Sequence, residues 1–371
     1  MRKRARDLGI VIGKYPTGPR NGITDVMGVR VGHSTLIRGD GKLVRGKGPV
    51  RTGVTAILPS PDPYENKLIG GSFVLNGAGE LSGVTQINEW GLLETPILLT
   101  NTMSVGRVSD ACVKWMSRRH KELGDIHDVV IPVVGECDDS FLNDAVGRHI
   151  QDKHVFDAIN HAGHTIEGSV GAGTGMVCCD FKAGIGTSSR LVKVEGETFT
   201  IASLVLSNFG VMENLRIDGV PVGELLAPHF RSLDKRTGFY GSIIVVIATD
   251  APMLSQQIVR LCKRAALGVG RAGSYAAHGS GEIVVGFSTA NVVPQATKRA
   301  SYQMRALFDR SLGPFYECAI EATEEAIVNS LCMADEMTGI NGNHAPALPL
   351  RKMQTIMQRF HPSFAKATRG R

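Results

Sequence analysis

A chain of 371 residues, 43% hydrophobic and 20% charged, holds enough apolar material for one large or two ordinary packed domains, and its lack of long polar or Pro-rich tracts excludes a disordered protein. The net charge of +6 gathers in residues 1–6 and 366–371. The interior carries no basic stripe interleaved with aromatics, so the two basic ends read as solubilising tails and nucleic acid is not an expected partner.

The apolar run at 8–12 is too short for a signal-peptide core, and no stretch approaches a membrane span, which predicts a soluble cytoplasmic protein with no membrane partner. Short apolar runs at 53–58, 72–75, 96–100 and 129–134 read as buried strands. Helical spacing marks 109–123, with Ser109 and Asp110 offering cap chemistry, and marks 141–162 again. A strand is predicted over 198–207, ending at Asn208. After the polar stretch 218–240, which carries Pro and Gly, comes a strong strand over 243–247. Asp250 then precedes Pro252, and Leu254, Ile258, Leu261 and Ala265 recur at helical steps. Residues 282–287 read as a strand and 315–337 as a long helix stopped by Gly339, with Asn341-Gly342 as a turn. This mixture predicts an α/β chain of sheet layers covered by helices, with no linker dividing it.

Seven cysteines without regular spacing argue against a disulfide framework, and Cys178-Cys179 reads as core packing. Gly171-Ala-Gly-Thr-Gly175 looks like a phosphate loop, but a strand-like run follows where a helix is required. His149, His154, His161 and His164 have no carboxylate or cysteine at metal spacing and read as solvated helix-face side chains. His278-Gly-Ser-Gly281 precedes a strand, so it is not a nucleophile elbow, and a Ser-His-Asp triad is unsupported. Ser242 opens a buried strand. By itself that marks a polar strand start.

Longer words change this reading. Asn21-Gly-Ile-Thr-Asp-Val-Met-Gly-Val-Arg-Val-Gly-His33, Arg51-Thr-Gly-Val-Thr-Ala-Ile57, Leu75-Asn-Gly-Ala-Gly-Glu80 and Lys182-Ala-Gly-Ile-Gly-Thr-Ser-Ser-Arg190 occur in order. Gly241-Ser242 through Thr249-Asp-Ala-Pro252, Gly279-Ser-Gly-Glu282 and Thr323-Glu-Glu-Ala-Ile327 follow. Together they resemble the L-aminopeptidase/D-esterase (DmpA-type) and β-peptidyl aminopeptidase family. The resemblance implies a four-layer αββα sandwich forming a single catalytic domain. It also implies autoproteolysis between Gly241 and Ser242, giving an α chain of 1–241 and a β chain of 242–371.

The implied activity is hydrolysis of N-terminal residues from short peptides, amino-acid amides or esters, D- and β-amino acids among them, without a cofactor or metal. A serine that becomes an N-terminus carries a hydroxyl and an amine that titrates at about 7.7–8.0, which together can perform acyl transfer. By the same resemblance Ser280 contacts the nucleophile, Glu282 orients Ser280, and Asn208 donates to the oxyanion. Glu136 receives the substrate ammonium, and Asp138 stands where some relatives carry a tyrosine. A homotetramer of cleaved protomers is implied too. Two alternatives stay open: an acyltransferase resembling the ornithine acetyltransferases, which use threonine where this chain has Ser242, and a non-catalytic nucleotide-binding protein.

Overall fold

The computed structural model describes residues 2–231, 233 and 241–360. Two sheets stack face to face. The smaller takes strands β1 (Arg30–Arg38), β2 (Val50–Leu58), β5 (Ile97–Asn101) and β6 (Val133–Cys137) in the order β1-β2-β5-β6. The larger is built from β3 (Asn66–Gly77), β4 (Leu92–Leu93), β9 (Ile185–Val194), β10 (Glu197–Asn208), β11 (Gly241–Thr249) and β12 (Ser280–Pro294). Its order is β4-β3-β12-β11-β10-β9, with β11 and β12 parallel and the other neighbours antiparallel. A two-stranded hairpin, β7 (Val177–Cys178) and β8 (Phe181–Lys182), lies between the halves of the chain.

Side-chain parity sorts these strands into layers. Ile57, Leu99, Val133 and Cys137 of the small sheet face Leu204, Leu206, Ile244, Val246 and Val285 of the large one. The opposite parity of the small sheet, Val54, Ala56, Leu98 and Val134, packs under helices α2 (Val105–Arg119) and α3 (Asp152–Asn160). The opposite parity of the large sheet, Ile243, Val245, Ile247 and Val284, packs under α5 (Ser255–Arg271) and α6 (Gly313–Cys332). This is the αββα sandwich. Burial on both faces explains why Ile243-Ile-Val-Val-Ile247 is a continuous apolar run, each side chain contributing about 1.5–3 kcal/mol. Shorter helices α1 (Val84–Trp90), α4 (Val222–Leu226) and α7 (Leu350–Phe360), and a second two-stranded pair, β13 (Met337–Thr338) and β14 (His344–Ala345), are also present.

Several expectations are corrected. Helix α2 begins at Val105, so Ser109 and Asp110 are interior, and Asp110 pairs with Lys114 at 2.6 Å instead of capping. Only Asp152–Asn160 of 141–162 is α-helical. The preceding residues spend their side chains on other segments: Asn143 accepts from the Arg51 N–H at 2.9 Å and Asp144 from the Gly46 N–H at 2.7 Å, while Arg148 is left-handed. His149 is correspondingly no solvated helix residue, but bonds to Asp144 at 2.9 Å. Strand β6 starts at Val133, leaving Val129 and Ile131 exposed. Helix α6 stops at Cys332, short of Met337.

The amino-terminal basic run is not a loose tail. Arg2 donates to the carbonyls of Leu331, Cys332 and Leu348. Arg4 meets Glu167 at 2.8 Å, and Arg6 meets the buried Glu325 at 2.9 Å. The other basic end, 366–371, lies outside the described residues.

Candidate active site

The large sheet fixes the position of Ser242. It pairs with Asn208 across the antiparallel β10–β11 ladder and with Gly281 across the parallel β11–β12 ladder. Parity puts the Ser242 and Asn208 side chains on the inner face with Ile244 and Leu206, pointing at the small sheet. There Ser242 adjoins the side chain of Cys137, the last residue of β6. Burial pushes the Cys137 thiol well above its usual range, so it stays protonated, and it donates to the Leu206 carbonyl at 3.5 Å.

Asn208 is fully buried and its amide orientation is set by two backbone groups. Oδ1 accepts from the Val177 N–H at 2.9 Å, and Nδ2 donates to the Asp138 carbonyl at 2.9 Å. The Asp138 side chain turns elsewhere, accepting from the Ser140 N–H at 2.8 Å and the Ser140 hydroxyl at 2.9 Å. Thus the backbone of residue 138, more than its carboxylate, is joined to the Ser242 row.

Glu136 is 3% exposed. Oε1 accepts from the Glu80 N–H at 2.9 Å, and Oε2 accepts from the Thr102 hydroxyl. Burial raises its pKa; the two hydrogen bonds oppose this, and Asp138 and Glu80 add to it. The word Leu75-Asn-Gly-Ala-Gly-Glu80 now has a physical account. A Cβ at Gly281 would lie 2.8 Å from the Ala78 carbonyl, and one at Gly79 would lie 3.0 Å from Glu136 Oε1. Both glycines let this loop lie between the Ser242 row and the Glu136 carboxylate.

Ser280 and Glu282 share one face of β12, but it is the face of Val284, directed at the helices. Ser280 donates to Glu282 Oε1 at 2.5 Å, and the Cα partner of Ser280 is Gly241. Ser280 is therefore beside the Gly241–Ser242 backbone, whereas the Ser242 hydroxyl leaves from the opposite face. Burial raises the Glu282 pKa against the hydrogen bonds from Ser280 and Ser274.

Reading the sequence missed Thr102, Cys137 and Ser274. None stands in a helical or strand pattern with the residue it serves, so only the fold could bring them in. The phosphate-loop resemblance of residues 171–175 has a structural explanation. This segment is a buried 3-10 turn whose Gly171 and Ala172 N–H groups donate to the hydroxyls of Thr35 and Thr55 at 2.8 and 3.1 Å. Those donors are spent within the protein, which removes the basis of the nucleotide-binding alternative. Among the described residues no group of three His, Cys, Asp or Glu is placed to hold a metal, and no helix is long and apolar enough to cross a membrane.

Comparison with known proteins agrees with this fold. A β-peptidyl aminopeptidase of Sphingosinicella microcystinivorans is 43% identical, over 96% of this chain and 92% of the relative. The crystal structure of a protein from Pyrococcus horikoshii superposes with a TM-score of 0.91 at 46% identity, covering 96% of this chain and 99% of that one. The L-aminopeptidase D-Ala-esterase/amidase of Ochrobactrum anthropi superposes with a TM-score of 0.88 at 36% identity, covering 96% and 98%. That enzyme is described as a prototype of the serine aminopeptidases and a variant of the Ntn hydrolase fold. The model of peptidase family S58 matches residues 21–345. With the αββα layers and a serine at the head of β11, these matches lead to one assignment: the chain belongs to peptidase family S58.

Proposed function

We propose that this peptidase is an aminopeptidase acting on short peptides, amino-acid amides or esters, and that its nucleophile is Ser242, released as a new N-terminus by self-cleavage. The observation that carries the reading is the row Asn208–Ser242–Gly281, which presents an inward hydroxyl and a fixed amide, with the Ala78-Gly79 loop packed between Gly281 and the buried Glu136 carboxylate. In the precursor the Ser242 hydroxyl attacks the Gly241 carbonyl, the C–N bond breaks, and the acyl group passes to oxygen. Water then cleaves this ester, giving a Gly241 carboxylate and a free Ser242 amine and hydroxyl. Chains 1–241 and 242–371 remain packed as one catalytic domain.

In turnover the same hydroxyl attacks the substrate carbonyl and passes its proton to the neighbouring amine, which is partly unprotonated at neutral pH. Asn208 donates to the oxyanion, a contribution of about 100- to 1000-fold in rate. Ser280, beside the backbone at 241–242, holds the amine, and Glu282 holds Ser280. The leaving amine takes the proton, and water releases the amino acid from Ser242. Glu136 receives the substrate ammonium, since a desolvated carboxylate bonded only to neutral donors favours a cation. Asp138 adds negative charge nearby without direct contact. Serine at 242 favours hydrolysis over the acyltransferase alternative, where threonine is expected.

Seven buried free cysteines support a reducing cytoplasmic setting, and a tetramer of cleaved protomers is part of the same proposal. The test is the mass of the purified protein with hydrolysis of amino-acid p-nitroanilides, D- and β-forms included. Wild type should give fragments 1–241 and 242–371 and be active, and Ser242→Ala should be intact and inactive. A cleaved or active Ser242→Ala protein would overturn the assignment.

A further inference from the structure

Glu282 is 1% exposed, yet its two oxygens are treated unequally. Oε1 receives two hydroxyls, from Ser280 at 2.5 Å and from Ser274 at 3.2 Å, while Oε2 is buried without a hydrogen-bond partner. Ser274 lies just beyond the end of α5, on the helix side of β12 where Glu282 also points. Its hydroxyl accepts from the Ala276 N–H at 3.1 Å. A hydroxyl that accepts there has its single proton left for the carboxylate. The turn is fixed as well: Asn76, the Cα partner of Glu282 on β3, donates to the Ala277 carbonyl at 2.8 Å, and the Ser280 N–H donates to the same oxygen at 2.8 Å.

We propose that Ser274 is a positioning residue for the reaction, holding Glu282 ionised with Oε1 aimed at Ser280 so that Ser280 can serve the Ser242 amine. The inference rests on the Ser242 reading above. The geometry makes Ser274, Glu282 and Ser280 a three-membered chain centred on one oxygen. A second donor on that oxygen lowers the energy of the charged form against the burial that opposes it. Ile243 faces Glu282 from β11, Asn76 from β3 and Ser274 from the turn after α5. Among the described residues no charged side chain contributes to its titration, so the two hydroxyls are its counterweight to burial.

The experiment is a pH profile of kcat/KM for wild type, Ser274→Ala and Ser274→Thr, all confirmed as cleaved. In wild type, protonation of the Ser242 amine and protonation of Glu282 each lower the rate, so the logarithmic slope on the acid side rises from one to two across two breaks. Ser274→Ala should lower kcat about tenfold with little change in KM, the scale of a hydrogen bond to a charged group, and should move the break that belongs to Glu282 to higher pH. Ser274→Thr, which keeps the hydroxyl, should restore both. An unmoved break in Ser274→Ala, or in Ser274→Thr a loss equal to that of alanine, overturns the proposal. Should Ser274→Ala not fold, a wild-type profile in Ser274→Thr beside a shifted one in Ser274→Cys supports it, and equal profiles overturn it. Loss of activity in Ser242→Ala with a wild-type profile in Ser274→Ala sinks this inference alone, whereas an active Ser242→Ala protein sinks the reading beneath it.

Discussion

Among the carboxylates buried in this molecule, two sets are treated by the fold in opposite ways. Glu321 and Glu325 on α6 meet the fully buried guanidinium of Arg190 at 3.0 and 2.7 Å, and Glu325 also meets Arg6. Burial works to raise the Glu325 pKa, but Arg190, Arg6 and a hydrogen bond from Asn21 outweigh it and hold it below the usual range. Glu136 and Glu282 are as deeply placed, but among the described residues neither is in an ion pair, and both are raised by burial. Arg190 and its partners are complete and join β9, α6 and the amino-terminal segment. Glu136 and Glu282 have only neutral donors. Under the proposed function these are the carboxylates that meet the substrate ammonium and hold Ser280 beside the Ser242 amine. The difference would then separate charge buried for structure from charge held ready for a ligand.

The structural half of that comparison should break hardest. Arg190→Met leaves Glu321 and Glu325 buried without their shared cation, and removing one side of a buried pair costs about 3–5 kcal/mol. Denaturant unfolding of Arg190→Met should show a loss of that size, while the protein that remains folded keeps its kcat. A loss within the few tenths typical of surface changes would mean that the network is not structural.

A smaller effect of opposite sign is expected at Glu136. Burial raises its folded pKa above the unfolded value, so between the two the folded state binds more protons. Stability therefore falls as pH rises through that window. Glu136→Gln has no proton to lose there. The variant should match wild type in acid and melt slightly higher at neutral pH, while losing activity. A variant that melts lower at neutral pH than in acid, relative to wild type, would contradict the idea that the carboxylate is held at a cost.

Much of this was legible in the residues. The apolar runs at 53–58 and 243–247 mark strands buried on both faces, and the spacing of Leu254, Ile258, Leu261 and Ala265 marks α5. The region 141–151 misled because its helical spacing coexists with Asn143 and Asp144, whose side chains accept backbone donors from other segments. The pairing of Ser280 with Glu282 was readable from a two-residue step on one strand. Their placement on the face opposite the Ser242 hydroxyl was not, because it depends on the register of β12 against β11. Likewise Arg4 and Arg6 look like tail residues until Glu167 and Glu325 are brought beneath them.

The central claim is that Glu136 stands ready for a substrate ammonium, and one pair of rates tests it most directly. Wild type and Glu136→Gln are given a short peptide with a free N-terminus and its N-acetylated twin. Acetylation removes the cation and leaves the carboxylate unpaired, so wild type should favour the free peptide by at least about a hundredfold. In Glu136→Gln that ratio should shrink, chiefly through slower cleavage of the free peptide, while self-cleavage at Ser242 persists because the precursor offers no free amine. Equal wild-type rates on the two peptides, with cleavage before Ser242 intact, would contradict the account.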